Sequence, residues 1–235
     1  MNRADRQGRA RLARPTTGEQ VADEVRLAIF EGRLAPGEPL REASLAEEFD
    51  TSRRSVQDAL AVLAGEGLVR HERHRGAKVA ELSRRDVEDL YRVRLSLESL
   101  AVRDCGDATG SVRAAVGQAL EDLRAATDRG DPFSIVEYDV EFHRSVVGLL
   151  DSPRIDRFFA TISTEMRFAL TVLESVAREA TVRPKEAFLE HEAIYDAILS
   201  GDSVRAEALV AEHVGVYRGR LFRIVHGAVD HADAS

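Results

Sequence analysis

Apolar residues recur at helical spacing over most of this chain, and the exceptions lie towards its start. Val21, Val25, Ala28 and Ile29 share one face of a helix predicted over 17–31, which Gly32 ends. Residues 33–39 contain Pro-Gly and read as a loop. Leu45 and Phe49 mark a short helix over 42–49, followed by a tight turn at 50–52. Thr51 or Ser52 can cap the next helix, which runs to Gly65 and turns Val56, Leu60 and Leu63 inward. Gly65 and Gly67 break that period. Residues 68–71 and 77–80 then read as two short strands around 72–76, a small hairpin or wing.

From residue 84 onward the pattern is helical throughout. Helices are predicted near 84–105, 111–129, 132–149, 153–179, 185–199 and 203–226. Gly106, Gly110, Gly130, Pro132, Pro153, Pro184 and Gly201 mark the breaks, and Ser83, Asp131, Ser152 and Asp202 are candidate caps. The length of the helix from 153 leaves room for a kink near Thr171. Six helices with short connections predict an antiparallel all-helical bundle. The chain thus reads as mainly α, with a winged helix-turn-helix over 16–80, a bundle over 84–226 and a boundary near residue 81.

Charge sharpens this division. The 235 residues carry a net charge of −8. Residues 1–83 hold fourteen basic and fourteen acidic side chains, so the whole excess lies in the bundle. The first fourteen residues hold five arginines against one aspartate, and 1–15 reads as a disordered basic arm. A neutral head with a basic tail remains compatible with DNA, because the local field matters more than the total. No run approaches eighteen apolar residues, and the start has no apolar signal core. The expectation is a cytoplasmic protein with no membrane partner. Cys105 is the lone cysteine, so no internal disulfide framework exists.

In a winged helix-turn-helix the second helix enters the major groove by its N-terminus. Here that end carries Ser52, Arg53, Arg54, Ser55, Gln57 and Asp58. Arginine suits guanine and glutamine suits adenine, while Ser52 and Ser55 suit phosphates. The wing tip Arg73-His74-Arg75-Gly76 offers cations to phosphate or the minor groove. The plainer alternative is a solvated surface and an ordinary hairpin. The run Leu40-Arg41-Glu42-Ala43-Ser44-Leu45-Ala46-Glu47-Glu48-Phe49 continues with Ser52-Arg53, Val56, Ala59-Leu60, Leu63, Glu66-Gly67-Leu68-Val69 and Arg75-Gly76-Ala77-Lys78-Val79. Together these segments resemble the DNA-binding domain of GntR-family bacterial regulators over about 17–80. The resemblance implies that Arg53 reads a base, that Gly76 forms the wing tip, and that His74 or Arg75 enters the minor groove. Arg54, Ser55, Gln57-Asp58 and Ala43 depart from the family pattern, which implies a different operator.

In the bundle, Asp139 and His143 lie four apart on a predicted helix and share its inward face. His191 and His213 each lie on an apolar face of another helix. A divalent ion would satisfy all four groups at once; separately satisfied core residues are the alternative. One carboxylate and three imidazoles suit Zn, with Ni, Co or Mn also compatible. Arg94-Leu95-x-Leu97-Glu98, Asp139-x-x-x-His143, Glu190-His191-x-x-Ile194-x-x-Ala197-Ile198-x-x-Gly201-Asp202 and His213 resemble the FCD effector domain of the FadR subfamily, in its six-helix, VanR-like branch. That resemblance implies a metal on Asp139, His143, His191 and His213, and a small carboxylate clamped by Arg94. Pairing with Glu98 one turn on is the simpler role for Arg94. Arg167 is a second candidate cation for the effector pocket.

These readings predict a homodimeric, ligand-responsive regulator that binds double-stranded operator DNA, acts as a repressor and is released by a small organic acid. A metal-dependent hydrolase or lyase, and a constitutive DNA-binding protein with a structural metal, are the competing classes.

Overall fold

The computed structural model describes residues 15–73, 75–106, 108, 110–177 and 184–232. Helix α1, Thr17–Phe30, starts at a capping box in which the Thr16 side chain accepts from the Glu19 backbone and the Glu19 carboxylate accepts in return. Helices α2, Glu42–Glu48, and α3, Arg53–Gly65, follow. Between them Asp50 adopts a left-handed conformation, φ 45°, and Thr51 N–H donates to the Ala46 carbonyl. These two features close the tight turn that sets α3 across α2. Of the two candidate caps, Ser52 fills the place, accepting from Ser55 N–H at 3.1 Å.

Strands β2, Val69–Glu72, and β3, Gly76–Val79, form the predicted hairpin, with His71 opposite Ala77. The segment expected to be only a loop ends in a further strand, β1, Pro39–Leu40, giving the antiparallel order β1-β3-β2. Two residues cannot display alternation, and a proline suits an edge strand that needs no further donor. Val21, Val25, Ile29, Leu45, Leu60 and Leu63 are buried in one apolar cluster with the sheet residues Val69 and Val79.

The remaining helices are α4 (Arg84–Arg103), α5 (Gly110–Arg129), α6 (Pro132–Val147), α7 (Pro153–Ala177), α8 (Pro184–Ser200) and α9 (Ser203–Ala232). The last runs past the expected end at 226. Helix α6 stops short of the expected 149, because Gly148–Leu150 tightens into a 3₁₀ turn and Asp151 turns left-handed. Thr171 donates its hydroxyl to the Arg167 carbonyl, and α7 is a single helix from Pro153 to Ala177. Packing pairs α4 with α9, α5 with α6 and α8, and α6 with α7, around a second cluster that includes Leu90, Phe142, Phe159, Met166 and Ile198. No helix among the described residues is long and apolar enough to cross a membrane.

The two clusters are joined in two ways. Leu82, just before the Ser83 cap of α4, packs against both. Phe168 of α7 leaves the bundle core and is buried in the winged-helix cluster. Its neighbour Arg167 lies 4.4 Å from the Phe30 ring of α1 and 4.8 Å from the Phe133 ring of α6. Truncating Phe168 removes the α7 side chain that is buried in the core of the head. Phe168→Ala is expected to cost about 3–5 kcal/mol, read as a lower urea midpoint by circular dichroism. A change within about 0.5 kcal/mol would show that the head does not depend on this anchor.

Candidate functional site

Helix α6 presents Asp139 and His143 one turn apart, α8 presents His191, and α9 presents His213. All four are buried, and one donor atom from each lies within 4.8 Å of every other. His143 Nε2 is 3.2 Å from His191 Nε2 and 3.2 Å from His213 Nε2. Asp139 reaches His191 Nε2 at 3.0 Å and His143 Nε2 at 3.9 Å.

The opposite nitrogens decide the tautomers. His191 Nδ1 faces the Ala187 carbonyl at 2.8 Å, an acceptor only, so Nδ1 carries the proton. His143 Nδ1 faces Glu98 and His213 Nδ1 faces Glu190, each at 2.8 Å, so both donate to carboxylates. In the neutral rings every Nε2 lone pair therefore points into the cluster. A proton on His191 Nε2 would serve Asp139, but His143 and His213 would still face each other at 3.2 Å. A cation resolves this arrangement. Tetrahedral Zn²⁺ with bonds of about 2.0–2.1 Å would hold its ligand atoms about 3.3 Å apart. Three of the separations are 3.0–3.2 Å and Asp139 to His143 is 3.9 Å, so the donor set suits one divalent ion after a small closure, with outer hydrogen bonds that orient the rings.

Glu98 organises the base of the cluster. Its two oxygens accept from Arg94 Nε at 2.7 Å and from His143 Nδ1 at 2.8 Å. Burial would raise its pKa, but His143 and Arg94 outweigh burial and lower it. Asp139 follows the same logic: burial raises it, and the hydrogen bond to His191 together with His143 and Arg94 holds it at about 2. Burial lowers the pKa of His143, helped by Arg94 and opposed by Glu98. Burial and the neighbouring His191 and His143 push His213 well down.

A cavity of about 90 Å³ borders the cluster, with Asp139, His191 and Tyr217 in its wall. Arg94 does not line it. Its side chain is 1% exposed and committed to Glu98, as the simpler expectation had it, and its Nη2 is buried without a hydrogen-bond partner. Arg167 requires a correction. It faces away from this cavity, stacked on Phe30 and Phe133 with Glu137 at 3.3 Å, because its turn of α7 packs against the head.

The start of α3 is exposed at Ser52, Arg53, Arg54 and Gln57, and partly so at Ser55. These residues are not equivalent. The hydroxyls of Ser52 and Ser55 lie 3.0 Å apart, and the former caps the helix. Arg54 pairs with Asp58 at 3.2 Å, and Gln57 donates to Glu42 at 2.8 Å. Arg53 has no acidic partner among the described residues. In the wing, Gly76 has φ 84°, a conformation that favours glycine, and exposed Arg75 lies 3.9 Å from Glu72. His74 and residues 1–14 of the expected basic arm lie outside the described residues.

Sequence reasoning left Glu190 without a role and missed Tyr217. Both had a local signal: Glu190 precedes a histidine of the cluster, and Tyr217 follows His213 by four on the same helix face. Contact across helices, between Glu190 and His213, had none.

The buried histidines set a pH dependence in the metal-free protein. His143 and His213 fold with pKa values below the unfolded histidine value of about 6.5. As pH falls below that value the unfolded chain takes up protons first, so their contribution is full above it and is lost below it. The urea midpoint of metal-stripped protein is expected to fall between about pH 7.5 and about pH 5.5. The fall should shrink in His143→Gln/His213→Gln; an equal fall would assign it to other groups.

Comparison with known proteins agrees with this architecture. A family model described as bacterial regulatory proteins, gntR family, matches residues 17–79, and the FCD domain model matches 89–216. The chain is 30% identical to the gluconate operon transcriptional repressor of Bacillus subtilis (strain 168), over 79% of this chain and 74% of that protein. It is 29% identical to a protein named as the probable D-xylose utilization operon transcriptional repressor of Paenarthrobacter nicotinovorans, over 88% of this chain and 89% of that one. Among solved structures, a GntR transcriptional regulator from Rhodococcus sp. RHA1 superposes with a TM-score of 0.75 at 26% identity, covering 87% of this chain and 96% of that one. The chain therefore belongs to the gntR family of bacterial regulatory proteins, in the group that carries an FCD domain, and is a DNA-binding transcription regulator rather than an enzyme.

Proposed function

We propose that this regulator is a repressor of a catabolic operon, released when a small organic carboxylate binds beside a divalent ion held by Asp139, His143, His191 and His213. Residues 16–80 act as the DNA-binding head and 84–226 as the effector and dimerisation part. The observation that carries the reading is the convergence of three imidazole Nε2 atoms and one carboxylate on a buried point next to a cavity. The names of the relatives support the repressor role, and Zn is the first choice of metal, with Ni, Co or Mn as alternatives.

Charge supports an anionic effector. Among the described residues the buried ionised groups are one cation, Arg94, and two anions, Glu98 and Asp139. A divalent ion reverses that balance and supplies a Lewis acid to which a ligand oxygen can bind.

The cavity and the head share two helices. Pro132 and Val136 of α6 and Leu170 of α7 line the cavity, whereas Phe133, Arg167 and Phe168 on the same turns pack against the head. A ligand that favours one spacing of α6 and α7 thereby favours one seating of the head, which is the differential binding that coupling requires. Two heads in a homodimer would meet a pseudo-palindromic operator, each with Arg53 at the start of α3.

Metal analysis of untagged protein is expected to find about one equivalent per chain, and His213→Ala should lower both occupancy and thermal stability. Full occupancy in that variant would move the metal elsewhere. Arg53→Ala is expected to lose about 1–3 kcal/mol of discrimination at one base pair, measured by fluorescence anisotropy on operator variants. Equal losses on operator and scrambled DNA would make Arg53 a phosphate contact. Operator affinity unchanged by every carboxylate tested would leave a constitutive DNA-binding protein with a structural metal.

A further inference from the structure

A groove of about 340 Å³ lies where the head meets the bundle, and none of its walls belongs to the histidine cluster. Three helices each give it a stripe of side chains at helical spacing: Arg26 and Phe30 from α1, Glu137 and Arg144 from α6, and Thr164 and Arg167 from α7. The three arginines differ in how far they are committed. Arg26 donates to Glu66 at 2.8 Å through Nε and at 2.7 Å through Nη2, and this partner raises its pKa despite burial. Arg167 meets Glu137 through Nη2 at 3.3 Å, and its Nε is buried without a partner. Burial lowers its pKa, and Glu137 does not make up the difference. Arg144 reaches Glu141 at 3.4 Å. Both of these contacts exceed the roughly 2.7–2.9 Å of a full charge-assisted bond. The other polar groups of the groove accept. The Ser163 and Thr164 hydroxyls donate to the Phe159 and Ala160 carbonyls one turn back, so towards a ligand their oxygens can only accept, as do the carboxylates of Glu137 and Glu141.

We infer that this groove is a second, metal-independent ligand site, and that it takes a small polyol carrying one oxyanion, a sugar phosphate or a sugar acid. The division of its wall into donors and acceptors carries the assignment. A planar guanidinium matches the paired oxygens of a carboxylate or phosphate, and Arg167 and Arg144 are the two cations of the groove without a close partner. Glu137 and Glu141 oppose a bare anion, but they and the two hydroxyl oxygens can each accept from a ligand hydroxyl. Phe30 lies against the Arg167 guanidinium at 4.4 Å and belongs to the head, so the site is built from both halves of the chain. A ligand there touches α1, α6 and α7 together and favours one seating of the head without acting through the cluster. The inference stands apart from the metal reading given above.

Calorimetric titration of the full-length protein with glucose 6-phosphate, gluconate, inorganic phosphate and butyrate tests this, before and after dialysis against EDTA. Glucose 6-phosphate or gluconate is expected to bind, equally with and without metal, and the tighter of the two decides between phosphate and carboxylate. Inorganic phosphate and butyrate should bind at least roughly tenfold more weakly, because they lack the hydroxyl bonds. Arg167→Lys keeps the charge but loses the fork and should weaken the polyol anion roughly tenfold. Arg144→Gln, at an exposed position, should weaken it several-fold, with native circular dichroism in both variants. Inorganic phosphate binding as tightly as glucose 6-phosphate would overturn the polyol class. Failure of both polyol anions to bind, loss of binding after EDTA in protein of native circular dichroism, or binding untouched by both arginine variants would overturn the site itself.

Discussion

One carboxylate ties the effector half together. Glu98 is fully buried, and each of its oxygens has a charged or chargeable partner: Arg94 Nε on its own helix and His143 Nδ1 on α6. Taking a carboxylate out of water is costly unless it is paired and hydrogen-bonded, and here the two partners are also what the cluster needs oriented. Removing Glu98 would leave Arg94 as an uncompensated buried charge and free the His143 ring. The remaining imidazoles are held by comparable outer contacts, Ala187 for His191 and Glu190 for His213. The cluster is thus a set of rings fixed from behind, with their Nε2 lone pairs turned to one point.

That rigidity becomes useful because of where the supporting helices lead. Helix α6 carries two of the four donors and, at its first turn, Phe133 against Arg167. Helix α7 contributes Leu170 to the cavity and, within one turn, Phe168 to the core of the head. The connection at Leu82 alone would leave the head free to swing, whereas the Phe168 anchor fixes its seating through tertiary packing. Arg167 fills the space between two aromatic rings with a planar cation whose Nε finds no partner. Such a contact is moderately favourable and adjustable, unlike the tightly packed clusters on either side.

Much of this was legible in the sequence because it is local. The i, i+4 spacing placed Asp139 and His143 on one inward face, and the 3.6-residue period located all six bundle helices. Two kinds of feature were not local. Strand β1 is two residues long, too short for any alternation, and exists because β3 offers its free edge. The placement of Arg167 depends on which face of α7 meets the head, and an amphipathic helix touching two cores has apolar residues on both faces. The outer contacts of the cluster were half visible: Glu98 follows Arg94 by one turn, but its bond to His143 joins residues 45 apart.

The recognition surface shows a restraint of another kind. Acidic neighbours occupy several of the cations that would otherwise meet phosphate: Asp58 holds Arg54, and Glu72 with Glu81 holds Lys78. A phosphate contact by either cation would have to displace an existing partner, so its net gain is small. Arg53 and the wing residue Arg73 have no such partner among the described residues. Non-specific affinity rises with the number of phosphates neutralised, so pairing cations internally lowers it more than it lowers base readout. In the proposed homodimer such a head would gain operator affinity mainly by engaging two half-sites at once, so its occupancy would follow the spacing of the heads.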